Sequence, residues 1–271
     1  MNQSIILNRR KRTMKKSKIL LTILVMGVAA MVIPFFKDMC RENKDEKEQQ
    51  KIEQQIEEIV NEKDDEAGNN EGDVALNENL KETKVKKLQE KNEDVIGYVD
   101  IPGTSIKYPV MQTKDNPDYY LNHDINKNYS SYGTPYLSAY CDIMTSDQLI
   151  IYGHNMGRGR MFGALTSFSD KAFLDQHPII IFETKKHKYK YEIFAVMSVN
   201  ANEFQYWGFT MARDEADYNQ YVDMVTSNSI HTQGEMPEYD EQILALSTCD
   251  NGRGNDWRFV VMGKKCDIII K

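Results

Sequence analysis

The 271-residue chain has four cysteines and five histidines, but no Cys-x-x-Cys and no His-x-x-x-His pair. No zinc spacing is therefore present. It also lacks a carboxylate cluster suited to a hard cation, so no metal and no other cofactor is expected. A basic face is missing from most of its length. The net charge is −7, and the basic excess is confined to residues 1–40, with eight Lys or Arg against one acid. Residues 41–94 hold ten basic and eighteen acidic residues, and the remainder is acidic too. A nucleic-acid-binding domain needs clustered positive charge, so nucleic acid is not an expected partner.

One long uncharged apolar run is present, residues 19–36. At 1.5 Å per residue it reaches roughly 27 Å, enough to cross a bilayer core as a helix. Seven Lys or Arg residues precede it and an acidic stretch follows. The positive-inside rule then predicts a cytoplasmic tail at 1–18, a membrane anchor at 19–36 and an exported remainder. Cleavage as a signal peptide is disfavoured, because the small-residue site Val28-Ala29-Ala30 falls inside the run. The expected location is the cell membrane, single-pass, with the C-terminal part outside the cell.

Residues 37–75 read as a charged stalk, on which Ile52, Ile56, Ile59 and Val60 form a narrow helical stripe. So short a stripe favours a solvated stalk over a coiled coil. Residues 76–271 form the expected folded domain. Short runs rich in β-branched and aromatic residues recur from Val95 to Met262, about eight strands in all. Helices are expected over 161–173 and 214–225, the second with Tyr218, Tyr221, Val222 and Val225 at helical spacing. The pattern predicts a mostly β fold, a barrel decorated by helices. Cys141 and Cys266 read as small buried hydrophobes rather than a bridge.

The chemistry concentrates in three residues. Cys249 closes the apolar run Ile243-Leu244-Ala245-Leu246-Ser247-Thr248, and Arg258 opens the next, Phe259-Val260-Val261-Met262. A thiol ending one strand and a guanidinium starting the next can face each other across one loop. Nearby positive charge favours the nucleophilic thiolate. His154, just after Leu149-Ile150-Ile151-Tyr152-Gly153, supplies an acid for a departing amine, and Arg258 a fixed charge for a developing oxyanion. No carboxylate is placed by the sequence to orient the histidine. No cysteine lies near Cys249 in sequence, which argues against a redox role.

These segments resemble the sortase family. Leu246-Ser247-Thr248-Cys249 is similar to the Thr-Leu-x-Thr-Cys signature, with Ala245 where Thr is usual. Tyr152-Gly153-His154-Asn155-Met156, followed by Met161-Phe162-Gly163-Ala164-Leu165, resembles the histidine segment, and Arg258 falls where the family's arginine is expected. Ile96 to Thr104 and Tyr119-Tyr120-Leu121 also look like family segments. The long insertion between Val199 and Gln242, Ser247 before the cysteine, and the N-terminal helices point to class B.

The resemblance implies an eight-stranded barrel with N-terminal helices, and a membrane-anchored cysteine transpeptidase. Its partners would be secreted proteins bearing a C-terminal sorting signal of the Asn-Pro-x-Thr type and a cell-wall precursor amine. The signal would be cut after Thr through a Cys249 thioester, with His154 and Arg258 as the other catalytic residues. Leu121, Tyr152, Tyr206, Trp207 and Ser247 would line the substrate groove. The alternatives are a hydrolytic cysteine protease, a pilin-polymerising enzyme of the same family, or a non-catalytic binding module on the same fold.

Overall fold

The computed structural model describes residues 37, 39–61 and 83–270. The chain divides into two compact units, residues 1–51 and 52–271. The cytoplasmic tail and membrane span expected at 1–36, and the boundary expected at residue 76, lie outside the described residues. Among the described residues no helix is long and apolar enough to cross a membrane.

Among the described residues nine strands occupy the second unit: β1 (Val95–Asp100), β2 (Lys107–Met111), β3 (Tyr136–Leu137), β4 (Gln148–Tyr152), β5 (Ile179–Glu183), β6 (Lys188–Asn200), β7 (Ser229–Thr232), β8 (Ile243–Cys249) and β9 (Trp257–Ile270). Their order is β5-β1-β2-β3-β4-β8-β9-β6-β7, and β5 also pairs with β6. That last pairing closes eight of the strands into the expected barrel, which removes their free edges. β7 extends the sheet beside the second half of β6, at Ala195–Met197. The pairs β2–β3 and β4–β8 are parallel and the other neighbours antiparallel.

Burial explains the run of apolar residues in β8. Its first six residues are all buried, because a 3-10 segment, Phe162–Ser169, covers it from outside while the barrel interior fills its other face. A strand covered on both faces reads as a continuous hydrophobic stretch rather than an alternating one. Val99, Ile150, Leu244, Leu246, Phe182, Phe194 and Val260 belong with many others to one buried cluster that includes residues from both faces of the sheet.

Two helical expectations change. The single helix predicted over 161–173 is instead the 3-10 segment followed by a short α-helix, Lys171–Gln176, and Asp170 separates them by accepting from the Ala172 N–H as an N-cap. The stripe predicted on a solvated stalk is partly buried. Residues 52–61 are helical (α1), and Ile56 packs in a second cluster with Val85, Leu88, Val95, Met111, Tyr120 and Tyr136, with Ile52, Ile59 and Val60 against it. Four apolar residues on one helix face have more to gain from an adjacent apolar surface than from water. Among the described residues of the second unit, the remaining α-helices are α2 (Lys84–Lys91), α3 (Lys171–Gln176) and α4 (Glu215–Ser227). α4 buries Tyr218, Tyr221, Val222 and Val225, the face read from their spacing.

Candidate active site

Antiparallel pairing of β8 with β9 sets Cys249 directly opposite Arg258. Directly opposed residues in such a pair project to the same face, so thiol and guanidinium share one side of the sheet. Both are half-buried. Arg258 is pinned by its own loop: Nη1 donates to the Asn255 carbonyl at 2.7 Å and to the Trp257 carbonyl at 3.0 Å. Among the described residues no hydrogen bond engages its Nε or Nη2, so those donors are available to an anion.

His154 reaches the same end of the barrel through the parallel pairing of β4 with β8. Tyr152 is paired with Ser247, and His154 and Cys249 each lie two residues further on. Three hydrogen bonds continue the pairing past the strand ends. Gly153 N–H donates to the Ser247 carbonyl at 3.1 Å, the Thr248 hydroxyl to the Gly153 carbonyl at 2.7 Å, and the Asn155 amide to the Cys249 carbonyl at 2.9 Å. Gly153 is required here, since a Cβ would fall 2.6 Å from the Phe162 ring. Phe162 in turn donates its N–H to the His154 carbonyl at 2.9 Å. The structure therefore brings His154, Cys249 and Arg258 to one end of β4, β8 and β9.

The group that orients His154 is a backbone carbonyl, which sequence reasoning could not see. Nε2 of His154 lies 2.8 Å from the Leu121 oxygen. A carbonyl only accepts, so Nε2 carries a proton and Nδ1 is left to exchange one. Leu121 ends the 3-10 turn Tyr119–Leu121, held from behind by the buried Tyr120. The Tyr120 hydroxyl donates to Asp94 at 2.7 Å and accepts from the Asn92 amide at 2.8 Å. Lys127 completes the set with a 2.9 Å ion pair to Asp94. Although burial opposes ionisation of Asp94, its bonds to Tyr120 and Lys127 prevail and hold its carboxyl below the usual carboxylate range.

The expected groove residues separate into two groups. Leu121 and Tyr152 are half-buried, and Trp207 is 46% exposed, so all three have surface to offer a ligand. Tyr206 and Ser247 do not: each is only 1% exposed, and the Tyr206 hydroxyl is 2.7 Å from the Ser247 hydroxyl. These two polar groups satisfy each other beneath the surface. Burial raises the Tyr206 phenol, with the Ser247 bond and the Arg258 charge acting against it.

Tyr136 and Asp118 are site residues that the sequence reading missed. Tyr136 of β3 pairs with Tyr152, and its hydroxyl donates to Asp118 at 3.2 Å. Burial first, then the charges of Asp118 and Cys249, push its phenol up, with Arg258 opposing. The phenol thus lies within the field of the thiol–guanidinium pair. The other thiols lie apart. All four cysteines are free, Cys141 is buried with its Sγ 3.3 Å from the Gln148 carbonyl, and Cys266 is half-buried on β9.

A family profile for the sortase domain matches residues 99–266. Sortase B of Listeria monocytogenes is 34% identical over 187 residues, 67% of this chain and 73% of that protein. Sortase B of Staphylococcus aureus is 28% identical over 179 residues, 66% and 72% of the two chains. Among solved structures, Clostridium perfringens sortase B superposes with a TM-score of 0.63 at 30% identity, covering 67% of this chain and 99% of that one. A Staphylococcus aureus sortase B–substrate complex matches with a TM-score of 0.63 at 27% identity, over 68% and 85% of the two chains.

Proposed function

Because the chain belongs to the sortase family, as a cysteine transpeptidase whose relatives are of class B, we propose that it cuts a C-terminal sorting signal after threonine and joins the protein to a cell-wall precursor amine. Cys249 is the nucleophile, His154 the acid and base, and Arg258 the oxyanion partner. The pairing of Cys249 with Arg258 across β8 and β9 carries this reading.

In the acylation step the Cys249 thiolate attacks the threonyl carbonyl carbon and a C–S bond forms. The oxygen gains negative charge and accepts from the free Arg258 donors. As the tetrahedral species collapses, the C–N bond to the next residue breaks. The departing amine takes the proton that His154 carries on Nδ1, while Nε2–H remains on the Leu121 carbonyl. In the second step the acceptor amine attacks the thioester carbon and returns a proton to Nδ1. A C–N bond forms, the C–S bond breaks, and the thiolate is regenerated.

The Asn-Pro-x-Thr signal lies along Leu121, Tyr152 and Trp207, with Tyr206 and Ser247 supporting them from below. Residues 19–36 hold the enzyme at the outer face of the membrane, where secreted substrates and lipid-linked precursors also reside. Confinement to one surface raises their effective concentration.

The test is to incubate the protein with Asn-Pro-x-Thr and Leu-Pro-x-Thr peptides and follow the protein mass. A thioester on Cys249 is expected with the first, absent in Cys249→Ala and slowed in His154→Ala and Arg258→Ala. An added amine should divert the product from acid to amide. Acylation of the Cys249→Ala variant would overturn the reading.

A further inference from the structure

The start of β4 holds the insertion that carries Tyr206 and Trp207. Gln148 is fully buried, at the opposite end of β4 from His154. Its side-chain Nε2 donates to the Tyr206 carbonyl at 2.9 Å and the Phe209 carbonyl at 2.7 Å, and its Oε1 accepts from the Tyr221 hydroxyl at 2.5 Å. Asp147 and Gln148 also donate their backbone N–H groups to the Thr210 carbonyl at 3.0 and 3.3 Å, while the Asp147 carboxylate accepts from Ala212 N–H at 2.7 Å. The Phe209 and Tyr221 rings stack at 3.9 Å and 7°. The Gln148–Tyr221 bond joins the barrel to α4, and every other tie in this set joins the barrel or α4 to the segment 206–212.

A glutamine amide has two donors and two acceptor sites, and burying them without partners is costly. Gln148 has both donors engaged by carbonyls that lie outside regular strands. A barrel strand needs no such residue for its own pairing, because its ladder is made by the backbone. An apolar side chain would fill the space equally well if holding the insertion were not the purpose.

We propose that Gln148 and Tyr221 are positioning residues for substrate recognition. They fix the backbone of 206–209, so that Tyr206 braces Ser247 beneath the groove and Trp207 is presented at its wall. This inference rests on the proposed acyl transfer at Cys249, and deepens it by naming what sets the shape of the groove on the insertion side. Neither residue touches the reacting atoms. Their loss should weaken binding of the sorting signal and spare the thiol.

The experiment compares the full chain with Gln148→Met, Tyr221→Phe and Tyr206→Phe. The first keeps the volume and removes both amide donors and the acceptor; the second removes one hydroxyl and keeps the ring. Two rates are measured on each: thioester formation against concentration of an Asn-Pro-x-Thr peptide, and alkylation of Cys249 by iodoacetamide, which needs no groove. KM for the peptide should rise by about tenfold or more in Gln148→Met, and less in Tyr221→Phe. The alkylation rate and its pH profile should match wild type. Gln148→Met combined with Tyr206→Phe should cost less than the product of the single effects, since both act through one segment.

An unchanged KM in a folded Gln148→Met or Tyr221→Phe protein would overturn the inference while leaving the acyl transfer intact. So would alkylation that falls in step with peptide turnover, which would mean a general loosening of the barrel. Wild-type protein that forms no thioester at all would overturn both readings.

Discussion

The side-chain amide of Asn155 donates to the backbone carbonyl of Cys249 at 2.9 Å, tying the residue after the histidine to the residue proposed as nucleophile. The same side chain accepts from Gly157 N–H at 3.2 Å, so it also shapes the loop leaving the site. Replacing Asn155 with Ala removes both bonds and should cost about 1 kcal/mol of stability. The larger effect should fall on kcat, by about tenfold with KM little changed, because the relative placement of imidazole and sulfur is what loosens. Steady-state kinetics beside a urea titration separates the two. A rise in KM alone would contradict this role.

Gly133 controls the carbonyl that orients the histidine. Its φ is +59°, and a Cβ there would fall 2.4 Å from the Leu121 oxygen and 2.6 Å from the Tyr120 oxygen. Neither obstacle is a flexible side chain, so backbone must move. Gly133→Ala should displace the Leu121 carbonyl from His154 and reduce kcat by at least about tenfold, beyond the roughly 1–2 kcal/mol cost of the left-handed conformation itself. Gly157 shows the contrast: its φ is +64°, yet a Cβ would meet nothing within 4 Å. Gly157→Ala should share the conformational cost and keep most of the activity. Equal kinetic losses in the two variants would contradict the assignment to Leu121.

Asp94 makes stability depend on acid. Its carboxyl is held below its usual value of 3.8 in the folded chain, despite the cost of burial, by bonds from Tyr120 and Lys127. A depressed folded pKa contributes stability that is complete above the unfolded value, and that stability is lost as the pH falls through the folded one. Denaturant midpoints should therefore drop below about pH 4 in wild type. Asp94→Asn should be less stable at pH 7 and lose less on acidification. A variant as acid-sensitive as wild type would show that other carboxylates dominate.

The thiols should differ sharply in reactivity. Cys141 is 1% exposed, and burial raises its thiol, with bonds to Ile150 and Ser138 opposing. A protonated thiol out of contact with solvent is inert to alkylation. Brief treatment of native protein with iodoacetamide should label Cys249 and leave Cys141 unmodified until denaturant is added, as read by peptide mass spectrometry. Comparable labelling of the two in the native state would contradict the burial of Cys141.

What the sequence revealed follows from where each signal resides. β4, β8 and β9 are legible because barrel strands covered on both faces become apolar runs, and the ends of those runs expose Tyr152, Cys249 and Arg258. β7 has no such signature: Ser229-Ile230-His231-Thr232 is half exposed, with one aliphatic residue, and is a strand only because β6 offers an edge. The Leu121 carbonyl was invisible because any residue type supplies a carbonyl. The resemblance places Tyr206 and Ser247 in the groove by residue type alone, and a buried polar pair that satisfies itself has the same residue types as an exposed one. Gln148 was hidden for the same reason.

The docking of α1 gives the last prediction, and it concerns where the folded unit begins. Ile56 is 7% exposed and shares its cluster with Tyr120, whose neighbour Leu121 holds the histidine. α1 thus buries its apolar stripe on the layer beneath the active-site turn. Ile56→Ala should destabilise the protein by roughly 2 kcal/mol or more, the usual range for a buried aliphatic truncation. Lys51→Ala, on the exposed surface of the preceding helical turn, should change stability by less than about 0.5 kcal/mol. A chain beginning at residue 83 should be less stable than one beginning at 52, and its kcat should fall as the Tyr119–Leu121 turn loses its support. Removing residues 1–51 should leave peptide cleavage in solution unchanged. If the chain starting at 83 were as stable and as active as the one starting at 52, then α1 would be a passive part of the stalk and its burial incidental.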